Sequence, residues 1–199
     1  NWALDLEVTG GPEAGRHAAV LRTDAPSGVA VSHSRIDEFA LVRLAHALGM
    51  TVPRPIAVCP DAAVIGAPFF LVERVGGTAN ARRIVRDPDV GRFGPELARR
   101  LGEELAVLHT VRPPRDGLAF LGDPPADVVA HRIATYRRYL DEMDAVEPTL
   151  EWGLRWLELN RPAPSPAVLC HRDFRTGNYM VSDGALTGVL DWEVAGASD

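Results

Sequence analysis

The stretch His171-Arg172-Asp173-Phe174-Arg175-Thr176-Gly177-Asn178 puts an aspartate and an asparagine on one polar loop. Thirteen residues beyond Asn178 a second aspartate, Asp191, follows the apolar pair Val189-Leu190. Both loops flank short apolar runs that read as strands, at 167–169, 179–182 and 186–190. Such loops are where a scaffold can aim side chains at a small molecule. One carboxylate can relieve a hydroxyl of its proton. An amide and a second carboxylate supply the hard oxygen ligands that Mg²⁺ takes. Phosphoryl transfer needs these parts: an oriented hydroxyl nucleophile and a cation to neutralise phosphate charge. A metal-dependent hydrolase using His171, Asp173 and Asp191 is the rival chemistry. It lacks a second histidine at ligand spacing and leaves Asn178 idle.

These loops must be positioned by what precedes them. Residues 2–8 and 17–23 read as strands joined through Gly10-Gly11-Pro12 and Gly15 into a hairpin. Residues 24–32, with Pro26 and Gly28, read as a loop. A helix is predicted at 35–48, capped by Ser34 and ended by Gly49, with Ile36, Ala40, Leu44, Ala47 and Leu48 on its apolar face. Strands follow at 56–59 and 69–75. Gly76-Gly77 then marks a boundary, and helices are predicted at 95–111, 125–143 and 148–160. The class is therefore α+β: a small antiparallel sheet with one helix over 1–75, and a mainly helical 76–199.

Composition narrows the function classes. At 46% hydrophobic and 24% charged, the chain has the apolar material for a core. A formal net charge of −6 argues against a nucleic-acid partner. All 21 basic residues are arginine, so any role that usually falls to lysine must be filled otherwise. Cys59 and Cys170 are read as buried thiols, and His109 as a buried, hydrogen-bonded histidine. The four tryptophans, Trp2, Trp152, Trp156 and Trp192, are read as core or interface residues. No apolar run reaches the ~18 residues of a membrane span and no signal peptide is visible, so the expected setting is cytoplasmic, without a membrane partner.

The pattern His-x-Asp-x₄-Asn followed by Leu190-Asp191-Trp192-Glu193 resembles the catalytic and metal motifs of the aminoglycoside phosphotransferase (APH/choline kinase-like) family. That family is a branch of the protein-kinase-like, two-lobed fold. The string from Leu169 to Gly196 is most similar to its acyl-CoA-dehydrogenase-10-like subgroup. The resemblance implies Asp173 as catalytic base, Asn178 and Asp191 as Mg²⁺ ligands, and His171 as a brace for the loop. It implies a phosphate-holding basic residue on the second strand, which here is Arg22, paired with a helix acid, Glu38, with Asp37 as rival. Arginine stays charged and can fork onto two oxygens, though its geometry differs from that of lysine. The resemblance also implies a hinge at 69–75, whose backbone at Glu73 and Val75 would bond the adenine of ATP. Arg175, two residues past the base, is expected to reach the transferred phosphate.

The function expected is thus transfer of the γ-phosphate of ATP to a hydroxyl of a small molecule. A pseudokinase that binds nucleotide without transfer is the alternative, suggested by the absent lysine. The acceptor cannot be read from the sequence; the acidic balance leans towards a cationic one. Asn1 falls where the family's Gly- and Ser-containing turn ends, and Val194–Asp199 reads as a loop, so the chain reads as clipped at both ends.

Overall fold

The computed structural model describes residues 1–24, 32–143 and 146–198. The expected loop at 24–32 lies almost wholly outside the described residues. Strands β1 (Trp2–Val8) and β2 (Gly15–Thr23) form the expected hairpin, and β3 (Pro55–Cys59) and β4 (Phe69–Glu73) complete an antiparallel sheet in the order β1-β2-β4-β3.

One helix, α1 (Arg35–Ala47), packs on this sheet. Ser34 caps it by accepting from Asp37 N, and its hydroxyl in turn donates to Asp37 Oδ2 at 2.7 Å. The buried stripe differs from the predicted one. It runs through Arg35, Glu38, Phe39, Leu41, Val42 and Ala45, while Ile36 is exposed. Two charged residues take the inner face because each finds an opposite charge there, which burial of a charge requires.

The second half is mainly helical: α2 (Ala81–Val85), α3 (Val90–Leu108), α4 (Val128–Glu142) and α5 (Pro148–Leu159), with a 3₁₀ turn at Ala119–Leu121. Neither α2 nor that turn is expected from the sequence, both being too short to show a period. Helix α3 begins a turn earlier than predicted and carries Pro95 within it. Helix α5 has no buried residue, and its Leu150, Trp156 and Leu157 are exposed. Of the four tryptophans only Trp192 is in the core; Trp2 and Trp152 are also exposed. His109 is exposed too, with Nε2 3.7 Å from Cys170 Sγ, and both cysteines are half-buried with no disulfide.

Two small hairpin-like sheets carry the loops of interest: β6 (Tyr179–Ser182) with β7 (Ala185–Val189), and β5 (Val168–Cys170) with β8 (Gly196–Ser198). The last is a correction, since these residues read as loop in the sequence. Gly-Ala-Ser carries no strand pattern of its own and becomes a strand only by pairing with β5.

The main core joins the two halves. It runs from Leu41, Val42 and Ala45 of α1 through Val52 to Leu108, Leu169, Val189 and Trp192. A polar tie reinforces it: Val189 N donates to Thr51 O at 2.7 Å, and Thr51 N donates to the buried Glu104 at 2.9 Å. No helix among the described residues is long and apolar enough to cross a membrane.

Candidate active site

The loop after β5 is organised by its own side chains. Asn178 Nδ2 donates to Asp173 Oδ2 at 2.6 Å and to Asp173 O at 3.0 Å. Arg175 Nε donates to Asp173 Oδ1 at 3.0 Å, with the guanidinium folded over Gly177, where a Cβ would lie 2.9 Å from Nη1. Arg175 is 62% exposed and rests on the Asp173 carboxylate rather than pointing into the cleft alone.

His171 ties this loop to the one after β7. Its Nε2 donates to Leu190 O at 2.8 Å, and its Nδ1 accepts from Asp173 N at 3.3 Å. The ring is wedged against Trp192 and Phe174. Burial pushes its pKa below the ordinary value, against the pull of the Leu190 carbonyl and the nearby aspartates. Both ring nitrogens are engaged, so His171 is not available as a metal ligand. Leu190 N in turn donates to Asn178 O at 2.8 Å, which brings Asp191 next to Asn178 at the ends of β7 and β6. Asp191 and Arg172 both have φ 65, left-handed backbone that non-glycine residues adopt rarely and that often marks functional loops. Arg172 turns away from Asp173: its guanidinium lies on Gly196 and donates to Ala197 O at 2.5 Å. Burial, then the neighbouring Arg132, push its pKa down to about 10.

From the opposite wall Arg22 reaches across. Its Nε lies 2.8 Å from the Glu38 carboxylate, and its Nη2 donates to Asp191 Oδ1 at 2.6 Å and to Glu193 Oε2 at 2.9 Å. Asp37 is occupied with the helix cap, so Glu38 is the acid that meets Arg22. Burial alone would lower the pKa of Arg22, but Glu38 and Asp191 hold it above its usual value. Burial pushes Glu38 up while Arg22 and Arg35 pull it back. The net effect holds Glu38 above its ordinary value, although two guanidinium groups contact its one carboxylate. Arg35 and Glu193 were missed by sequence reasoning. The signals were there: Arg35 lies one turn before Glu38 on the helix, and Glu193 lies one residue beyond Trp192 beside Asp191.

Between the walls is a cleft of about 200 Å³, lined by Val20, Val42, Phe70, Val72, Met180 and Val189, with Arg22, Glu38, Glu73, Val75 and Asp191 also on it. Arg22 pairs with Phe70 and Ala19 with Glu73, so Arg22 and Glu73 lie three residues apart along the ladder, about 10 Å. Glu73 N donates to Arg54 O and Arg74 N to Ala18 O, each at 2.9 Å. Val75 packs over Gly188, where a Cβ would lie 3.2 Å from Val75 Cγ2. A larger open trough of about 1020 Å³ between α2, α3 and the β6–β7 hairpin contains none of the predicted site residues, whereas the smaller cleft carries five of them and is not lined by Asp173, Arg175 or Asn178.

A four-stranded sheet with one helix, set over a helical half with two polar loops at the junction, defines a two-lobed, kinase-like phosphotransferase fold. Residues 8–199 match the Phosphotransferase enzyme family (APH), and the chain belongs to that family. It is 28% identical over 185 residues to mouse (Mus musculus) acyl-CoA dehydrogenase family member 10, covering 87% of this chain and 17% of the relative. It is 29% identical over 189 residues to chicken (Gallus gallus) acyl-CoA dehydrogenase family member 11, covering 91% of this chain and 24% of that protein. The chain thus spans less than a quarter of these relatives' length. Among solved structures, a Ralstonia eutropha protein provisionally assigned as an aminoglycoside phosphotransferase matches with TM-score 0.70 and 21% identity, over 91% of this chain and 54% of that one. A thermostable mutant of aminoglycoside phosphotransferase APH(4)-Ia, solved with AMP-PNP and hygromycin B, matches with TM-score 0.61 and 16% identity, over 98% and 68%. At these identities the likeness shows the fold alone.

Proposed function

We propose that this chain carries the active site of an ATP- and magnesium-dependent small-molecule kinase. The observation that supports it best is that Asp191 lies on the cleft against Arg22, while the neighbouring Leu190 N–H holds Asn178 O and the Asn178 side chain holds Asp173. The donor set suits the cation. Asn178 spends its amide nitrogen on Asp173, which leaves Oδ1 for a metal, and among the described residues Asp191 meets Arg22 through Oδ1. Both remaining atoms are hard oxygens, the kind Mg²⁺ takes. Bound Mg²⁺ would neutralise charge on the nucleotide phosphates.

The chain's own residues would do the rest. The apolar walls of the cleft would hold the adenine, with the Glu73 carbonyl and the Val75 N–H at the hinge as its hydrogen-bond partners. Arg22, about 10 Å along the ladder from Glu73, would meet the phosphates. Asp173 would accept the proton of the acceptor hydroxyl as its oxygen bonds to the γ-phosphorus. The bond to the bridging oxygen breaks and ADP leaves. Arg175 would leave Asp173 to meet the transferred phosphate. The lobe boundary in this reading falls at Gly76. The acceptor is a small molecule with a free hydroxyl.

The test is ATP consumption by the protein against pooled hydroxyl compounds. Asp173→Ala is expected to lower the rate by about 10²–10⁴. Asp191→Ala is expected to abolish Mg²⁺-dependent nucleotide binding. Turnover unchanged in both variants would end this reading, and nucleotide binding with no transfer to any pool would favour the pseudokinase.

A further inference from the structure

Arg35 has no part in the chemistry just outlined, yet it is 6% exposed. From the first turn of α1 it forks onto three carboxylates. Nη1 donates to Glu38 Oε2 at 2.5 Å, Nη2 donates to Glu193 Oε2 at 3.1 Å, and Nε lies 2.9 Å from Asp24 Oδ1. Glu38 and Glu193 are also partners of Arg22. The four side chains Arg22, Glu38, Arg35 and Glu193 therefore close a ring of alternating charge across the lobe junction, with Asp191 attached to Arg22 from outside.

This arrangement answers a difficulty in the kinase reading. With Nε on Glu38 and Nη2 on Asp191 and Glu193, Arg22 can grip a phosphate with both ends of its fork only if Nη2 releases a carboxylate. Turning to a phosphate would strip a cation from Glu38, which is 1% exposed, and from Glu193. A buried carboxylate without a partner is strongly unfavourable. Arg35 already touches both, so neither is left bare.

We propose that Arg35, with Glu193 as its partner on the opposite loop, is a positioning residue that keeps Glu38 and the Asp191–Glu193 segment fixed and charge-balanced. Arg22 is then free to exchange Asp191 for nucleotide phosphate, and Asp191 is free to take a divalent cation. The inference rests on the kinase reading of the same site. Lysine could not replace Arg35 fully, since an ammonium lacks the planar fork that reaches three carboxylates.

Calorimetric titration with ADP and Mg²⁺ tests this on the wild type, Arg35→Met, Arg35→Lys, Glu193→Gln and the double variant Arg35→Met/Glu193→Gln, with urea unfolding of each in parallel. Arg35→Met is expected to weaken binding by about 10–100-fold while folded, as loss of a supporting residue behind a metal ligand does. Arg35→Lys recovers part of the loss. The double variant binds more tightly than Arg35→Met alone, because the neutral amide that replaces the Glu193 carboxylate needs no cation. A mere brace predicts a lower unfolding midpoint with nucleotide affinity intact. That result, or strictly additive losses in the double variant, overturns the proposal. Should Arg35→Met fail to fold, Arg35→Lys and Glu193→Gln carry the test: wild-type affinity in both refutes it. A wild type that binds no nucleotide overturns the kinase reading as well, whereas wild-type binding with an indifferent Arg35 overturns only this inference.

Discussion

The 171–178 loop and the arginine ring hold their carboxylates by opposite means. Asp173 is held by side chains two and five residues away, Arg175 and Asn178, and its own side chain is 37% exposed. Arg22 is held by residues 16, 169 and 171 positions away, around a Glu38 that is 1% exposed. A local, hydrated cluster can lose one member and let water replace it. In the buried ring drawn from distant segments Glu38 and Glu193 each touch two arginines, so one cation can move only while the other stays in place. In the proposed reaction Arg175 and Arg22 both change partners, the first beside water and the second only because Arg35 stays on Glu38 and Glu193.

The sharpest way to break this contrast is to truncate one arginine from each. Arg22→Met is expected to destabilise the protein by about 1–3 kcal/mol in urea unfolding, because Asp191 loses its cation and Glu38 and Glu193 keep only Arg35. Arg175→Met, on an exposed pair, should change stability by about 0.5 kcal/mol or less. Equal losses would erase the distinction. Gly196→Ala probes the hidden side of the loop: its Cβ would meet Arg172 Cζ at 2.7 Å. Swinging the far end of that flexible side chain aside forfeits its bond to Ala197 O and should cost about 0.5–1.5 kcal/mol. A neutral result would mean that the loop does not depend on the packing beneath it.

The smallest effect is a pH dependence. Burial holds the His171 pKa below its ordinary 6.5. As pH falls below 6.5 the unfolded chain takes up the proton first, so stability present above that pH declines as pH falls towards the folded-state pKa. Unfolding midpoints measured from about pH 7.5 to about pH 5 should fall less steeply for His171→Gln than for the wild type. Parallel slopes would show that the histidine does not tie the two loops while neutral.

Much of this was legible in the chain. The strands at either side of Gly10-Gly11-Pro12, the Ser34 cap and the loop residues of 171–178 follow from local chemistry: turn residues, a capping hydroxyl and alternating apolar positions. The inner face of α1 was not legible. Its apolar residues suggest a stripe through Ile36 and Leu44, whereas Arg35 and Glu38 go inside. The strand at Gly196–Ser198 was equally hidden, because only its partner makes it one. Trp152 and Trp156 show the reverse, large apolar side chains on α5 that nothing among the described residues buries.

By itself the sequence determined which reactive groups exist and how the 171–178 loop is wired, because bonds between residues a few positions apart are set by backbone geometry. Only the tertiary structure decided that Glu38 rather than Asp37 meets Arg22, and that Arg35 and Glu193 complete the circuit. The energy of a buried charge depends on every other charge that folding brings within a few ångströms, and no local stretch of chain specifies that set.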